Sequence, residues 1–452
     1  MKKELTIVMV LVMMLGLFTT VSATNNYSYN KVQQVFDWGT GTTKVIVDLD
    51  KTINAGSVDW TTFQVFVKRT DSRLEESLLN DGQRRVTDTY VSDEEGNRVG
   101  KGNYVAIEME VSPTESIGSA LNYVPGGGGN DWVEAEYNIK QVKDIVSVEE
   151  KVTGINATEL NKTYRPQIDK FTTGSEFYSD EDNGNIILTY AAYKPKVTES
   201  DKSPLIIWLH GGGEGGTDPT IPLAANKSVN FAAKEVQDIF GGAHVLVPQT
   251  PGKWMEASAN EDEYDIEHKL DGHNSALPYT SKYTKSLMNL INKYVQVNPG
   301  VDRDRIYIGG CSNGGFMTVR MILSYPDYFA AAFPVCQGMT YSYLSDADIE
   351  ILKNQNIWFV SAATDATLPA PRYTIAIYDR LIKEGAENVH LSYPARIIDR
   401  SGRYRDKNGN PHEYNGHWSW IYVYNNAATA KIDGKEVSIL NWMAYQKRDK
   451  ER

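Results

Sequence analysis

The chain has 452 residues, more than one ordinary domain holds, so two or three folded units are expected. Apolar residues make up 41% and aromatics 11%, enough for real cores, which excludes a disordered chain. A net charge of −12 argues against nucleic acid and anionic lipid as partners, and two cysteines are too few for a disulfide-stapled scaffold.

Residues 1–23 read as a secretory leader. Lys2 and Lys3 precede an uncharged apolar run over 5–17, and Val21-Ser22-Ala23 offers small residues at a cleavage site. The run is short for a bilayer span of roughly 20 residues, so the expectation is a secreted chain, free of the membrane once cut after Ala23.

Residues 24–160 read as β. Segments 43–50 (TKVIVDLD), 62–68 (TFQVFVK), 103–111 (NYVAIEMEV) and 132–139 (WVEAEYNI) alternate apolar and polar side chains, the period of strands with one buried face. Turn signals at Glu95-Gly96-Asn97 and over 125–130 (PGGGGN) separate them. Short strands in this number suggest an immunoglobulin-like β-sandwich, read as a spacer or packing module, with sugar binding and self-association as alternatives. Whether the chain forms a homo-oligomer is left open.

From 161 to 452 the pattern changes. Apolar runs at 186–192, 205–209, 245–247, 305–308 and 357–360 look like strands buried on both faces, and 285–295, 316–323, 372–383 and 437–446 show helical spacing. Alternation of this kind implies a parallel sheet covered by helices, with the site at the carboxyl ends of the strands.

One such end carries Gly310-Cys311-Ser312-Asn313-Gly314, which fits G-x-S-x-G between an apolar strand and a helix. That context makes Ser312 the expected nucleophile, pushed out of a turn too tight for larger neighbours. Another end carries His210-Gly211-Gly212-Gly213, a loop able to give backbone N–H groups to an oxyanion. Gly212 or Gly213 is the first expected donor and the N–H of Asn313 the second, with His210 a loop brace.

Behind a nucleophile elbow of this strand–turn–helix kind, the acid and then the base should follow the serine along the chain. Of His390, His412 and His417, the last sits in a glycine-led, aromatic-flanked loop (NGHWSW) and is the expected base. Asp365, in the loop after strand 357–360, is the expected acid; its rivals Asp399 and Asp406 lie in a charged loop that reads as solvated. Trp254, Trp418 and Trp420 are candidates for an aromatic substrate pocket. Glu214 reads as a loop brace, Cys311 and Cys336 as buried free thiols, and the acidic stretch 257–281 as a solvated loop or lid edge. No metal site is expected.

Together these residues resemble secreted esterases of the polyhydroxybutyrate-depolymerase and feruloyl-esterase-like branch, which merges with prolyl-oligopeptidase-type hydrolases. The resemblance rests on 204–216 (PLIIWLHGGGEGG), on 245–251 (VLVPQTP) with Trp254, and on 305–315 with Tyr325-Pro326-Asp327. It rests also on Asp365-x-x-Leu368-Pro369 paired with Gly416-His417-x-x-Trp420. It implies an α/β-hydrolase fold behind an immunoglobulin-like domain, a Ser312–Asp365–His417 triad acting on an ester, an ester-decorated polysaccharide or a polyester, and no cofactor. Three places depart from the family's pattern: Cys311 replaces the usual Leu or Phe, Ser361-Ala362 the usual His-Gly, and a polar insertion precedes His417. A serine peptidase and a non-catalytic polysaccharide-binding protein are the alternative readings.

Overall fold

A computed structural model of the chain describes residues 26–147, 150–197, 202–256 and 279–448. The leader read in residues 1–23, and nearly all of the acidic stretch 257–281, lie outside them. No helix among the described residues is long and apolar enough to cross a membrane.

The first half is all β. Its strands are β1 (Asn26–Phe36), β2 (Gly39–Asn54), β3 (Phe63–Thr70), β4 (Leu78–Arg84), β5 (Val86–Ser92), β6 (Lys101–Met109), β7 (Leu121–Val124), β8 (Gly129–Trp132), β9 (Glu134–Gln141), β10 (Ile145–Val146), β11 (Lys151–Val152) and β12 (Asn156–Tyr164). Eight of them hydrogen-bond in the order β4-β3-β9-β12-β1-β2-β6-β5, while β7 and β8 form a separate hairpin. The expected alternation is what closes this half. Val45 and Val47 of β2, Val65 and Val67 of β3, Val105 and Ile107 of β6, and Tyr137 and Ile139 of β9 all enter one core. The two ends of the sheet thus fold over each other, as in a sandwich.

The second half is built on a sheet ordered β13-β14-β16-β15-β17-β18-β19-β20. Its strands are β13 (Thr172–Asp180), β14 (Gly184–Tyr193), β15 (Ser203–Leu209), β16 (His244–Gln249), β17 (Val301–Cys311), β18 (Ala331–Val335), β19 (Ile357–Val360) and β20 (Val389–Ser392). From β16 to β20 all pairs are parallel, and β13 and β14 close one edge antiparallel. Apolar runs are continuous because both faces are covered. Ile206, Trp208, Tyr307 and Phe333 point into one core, and Leu205, Ile207, Leu209, Ile306 and Ile308 into the other. Each such aliphatic side chain, once buried, contributes about 1.5–3 kcal/mol.

The halves are joined by buried contacts. Val35 and Leu121 pack into the second half's core. The Thr40 hydroxyl donates to the carbonyl of Ala224 at 3.0 Å, and Asp37 accepts from Lys227 Nζ at 2.7 Å and from Asn425 Nδ2 at 3.0 Å.

Candidate active site

The register of two strands creates the site. β15 and β17 are parallel neighbours with Leu209 opposite Gly310, so the loop after one and the turn after the other emerge side by side. The β17 turn is tight. Ser312 has φ 55° and ψ −115°, a conformation that non-glycine residues rarely hold, and it stands immediately before the helix Asn313–Ser324. The flanking glycines are required by contact. A Cβ on Gly314 would meet the carbonyl oxygens of Leu209 at 2.2 Å and His210 at 2.4 Å, and one on Gly310 would meet that of Leu209 at 2.6 Å.

The loop 210–214 is held by its neighbours. The Glu214 N–H donates to the Gly211 carbonyl at 3.3 Å, and Gln249 Nε2 donates to the Glu214 carbonyl at 2.9 Å. Burial holds His210 neutral and pushes its pKa down to about 4. Its Nε2 accepts from the Thr250 N–H at 3.2 Å, which leaves the proton on Nδ1, 2.7 Å from the Gly211 carbonyl. His210 is the brace the sequence suggested. The N–H groups of Gly212, Gly213 and Asn313 find no acceptor among the described residues, and all three residues line the same cavity as Ser312.

Asp365 and His417, the residues expected as acid and base, lie side by side. Asp365 is buried, and its Oδ1 accepts the N–H groups of Thr367 and Leu368, each at 2.9 Å. Its Oδ2 lies 2.9 Å from His417 Nδ1. The His417 ring stands edge-on to Trp420 at 5.6 Å, and Trp420 lies 6.3 Å from Trp418. Ser312 and His417 face one cavity of about 960 Å3. No hydrogen bond joins Ser312 Oγ to His417 among the described residues; such contacts commonly tighten only when substrate binds.

Two expectations are corrected. Trp254 is not a pocket residue. It is fully buried, with its ring against those of His210 in the loop 210–214 and of Tyr283, just before the helix Thr284–Val297. It acts through its backbone: its N–H donates to Asn313 Oδ1 at 2.6 Å, and that of Met255 to the same oxygen at 3.2 Å. Asp399 is not solvated. It is buried and takes the hydroxyl of Ser401 at 2.8 Å, away from His417. Trp418 and Trp420 do line the cavity. Cys311 and Cys336 are free, buried thiols, and burial pushes both pKa values up, so neither offers a ready thiolate. His390 bonds to Asn388 between Trp358 and Trp442 and is structural.

Sequence reasoning missed one whole wall of the cavity. Asp37, Trp38, Leu121, Tyr123, Gly129 and Asn130 of the first half line it together with Phe316, Tyr343 and Tyr373 of the second. The glycine run at 125–130 was the available signal, since such a run permits close backbone approach.

Comparison with known proteins agrees with this architecture. Residues 28–154 match the esterase Ig-like N-terminal domain, and residues 281–392 match the prolyl oligopeptidase family. A poly(3-hydroxybutyrate) depolymerase from Ralstonia pickettii is 28% identical over 156 residues. That match covers 34% of this chain and 29% of the relative, less than a third of its length. A solved structure of a thermostable esterase superposes with a TM-score of 0.72 at 24% identity, covering 93% of this chain and 100% of that one. The fold is therefore that of an α/β-hydrolase, and part of it is similar to the prolyl oligopeptidase family and to the depolymerase. In front of its hydrolase fold the chain carries the immunoglobulin-like domain found in esterases.

Proposed function

We propose that the chain is a secreted serine carboxylesterase. The observation that carries this reading is the strained Ser312, set between Gly310 and Gly314 in the cavity that the His417–Asp365 pair also faces. Ser312 Oγ attacks the ester carbonyl while His417 Nε2 takes its proton. The carbonyl oxygen becomes an oxyanion and receives the N–H of Asn313 and of Gly212 or Gly213, a charge-matched arrangement at the N-terminus of a helix. His417 then gives its proton to the departing alcohol, leaving an acyl group on Ser312. Water activated by the same imidazole releases the acid. Asp365 keeps the imidazole in the tautomer that exposes Nε2 and stabilises its charged form.

Trp38, Tyr123, Phe316, Tyr343 and Trp418 surround this centre with aromatic surface, which suits an ester bulky on at least one side. Action outside the cell rests on the leader read in residues 1–23 and on the composition. The match of residues 281–392 to a peptidase family favours a second reading, a serine peptidase with the same triad. A panel of nitrophenyl esters, methyl ferulate, acetylated xylan and a hydroxybutyrate oligomer, set against peptide nitroanilides, separates the two. Faster turnover of esters supports the esterase. Turnover confined to peptides assigns a peptidase, and turnover of neither leaves a binding protein.

A further inference from the structure

The hairpin β7–β8 belongs to the immunoglobulin-like half, yet its second strand begins against the loop 210–214 of the other half. The backbone N–H of Asn130 donates to the Gly213 carbonyl at 2.6 Å, and Asn130 Nδ2 donates to Glu214 Oε1 at 2.9 Å. The approach is close enough to demand glycine. Gly129 has φ +60°, and a Cβ there would lie 2.6 Å from the Gly213 oxygen.

The hairpin is anchored in turn. Arg73 reaches the carbonyls of Gly128, Gly129 and Asn122 at 2.8, 3.1 and 3.0 Å, and is itself paired with Asp71 at 2.7 Å. Trp132 Nε1 donates to Asp218 Oδ2 at 3.0 Å, beyond the oxyanion loop. An unbroken series of polar contacts thus runs from β3 and its following turn to the peptide between Gly213 and Glu214. That peptide is pinned at both ends, by Asn130 on its oxygen and by the Gly211 carbonyl on its N–H. The adjoining N–H of Gly213 is thereby held in one orientation.

Glu214 ties the junction together from beneath. It is only 5% exposed, lines the cavity, and its Oε2 has no hydrogen-bond partner among the described residues. Burial pushes its pKa up to about 7, so the Asn130 amide is a principal polar support for a carboxyl that the interior would otherwise reject.

We propose that Asn130 is a positioning residue for the oxyanion loop, acting through Glu214 and Gly213, so that the immunoglobulin-like half completes the active site. This rests on the serine-esterase reading. Donors that stabilise an oxyanion work only when held where the charge develops, so a loosened loop lowers transition-state binding more than substrate binding.

The test uses the full chain and nitrophenyl acetate, with kcat referred to sites titrated by a fluorophosphonate and with inhibition by an aryl trifluoromethyl ketone, which forms an oxyanion on the serine. Asn130→Ala is expected to lower kcat per titrated site about tenfold, with KM within about threefold, and to weaken the ketone by the same factor as kcat/KM. Glu214→Ala should do the same, the double variant no worse, and Glu214→Gln, which keeps an oxygen for the Asn130 amide, should recover most of the loss. An Asn130→Ala protein with fewer titratable sites but unchanged kcat per site and unchanged ketone affinity overturns the proposal, since that is a structural role alone. So does an unaffected Asn130→Ala protein beside an active wild type. A wild type inactive on every ester overturns the esterase reading instead, and this proposal with it.

Discussion

His417 Nδ1 lies 2.9 Å from Asp365 Oδ2, a contact that spans 52 positions of sequence. Both carboxylate oxygens of Asp365 are engaged, one by the imidazole and the other by two backbone N–H groups. The imidazole therefore carries its proton on Nδ1 and turns Nε2 toward the cavity. Asp365→Asn would present an amide that favours the opposite tautomer. It should lower kcat about ten-thousand-fold with a small change in KM, measured on nitrophenyl acetate. A loss below about tenfold would show that another acid serves His417.

Gly314 is a packing constraint as well as a motif residue. Its added Cβ would meet two backbone oxygens at 2.2 and 2.4 Å, and backbone cannot yield as a side-chain tip can. Gly314→Ala should cost about 3 kcal/mol, read as a lower urea midpoint at unchanged slope. An unchanged midpoint would mean that the elbow is wider than the contacts require.

Glu214 should leave a signature in stability against pH. Burial raises its pKa from 4.5 to about 7, so between these values the folded chain holds a proton that the unfolded chain releases. Its contribution is full below pH 4.5 and is lost as pH rises to 7, about 3 kcal/mol in all. His210 has the opposite sign. Its pKa falls from 6.5 to about 4, so its share of stability grows from pH 4 to 6.5. Glu214→Gln removes only the first effect. The variant should therefore gain on the wild type steadily from pH 4.5 to 7 in chemical denaturation; a pH-independent difference would contradict the buried carboxyl.

Trp418 lines the cavity beside Trp420. Trp418→Ala should raise KM for an aryl ester such as methyl ferulate about tenfold and change that for an acetate ester much less. Equal effects on both would remove Trp418 from the binding wall and leave it a support for His417.

Much of this was legible in the sequence, for physical reasons. The runs 205–209 and 357–360 are apolar without alternation because β15 and β19 are covered on both faces. Gly310 and Gly314 are legible because a tight turn admits nothing larger. The loop residue His417 was separated from His390 and His412 by its glycine and aromatic neighbours alone. What stayed hidden depends on distant elements. Trp254 looks like a pocket residue until Tyr283 and His210 close on it. Asp399 looks solvated until Ser401 and Tyr414 surround it. The segment read as a helix from 372 opens with one π turn, Pro371–Ile375, which period counting does not resolve. The hairpin at 125–130 reads as a plain turn, since its meaning lies in a contact 84 positions away, between Asn130 and Glu214.

The most direct measurement of the central claim is hydrolysis of nitrophenyl acetate by the full chain and by Ser312→Ala, with fluorophosphonate labelling of both. The wild type should turn over and be labelled, and Ser312→Ala should be unlabelled, with kcat reduced by about a million-fold. Equal turnover by the two proteins, or a label carried by another residue, would contradict that claim.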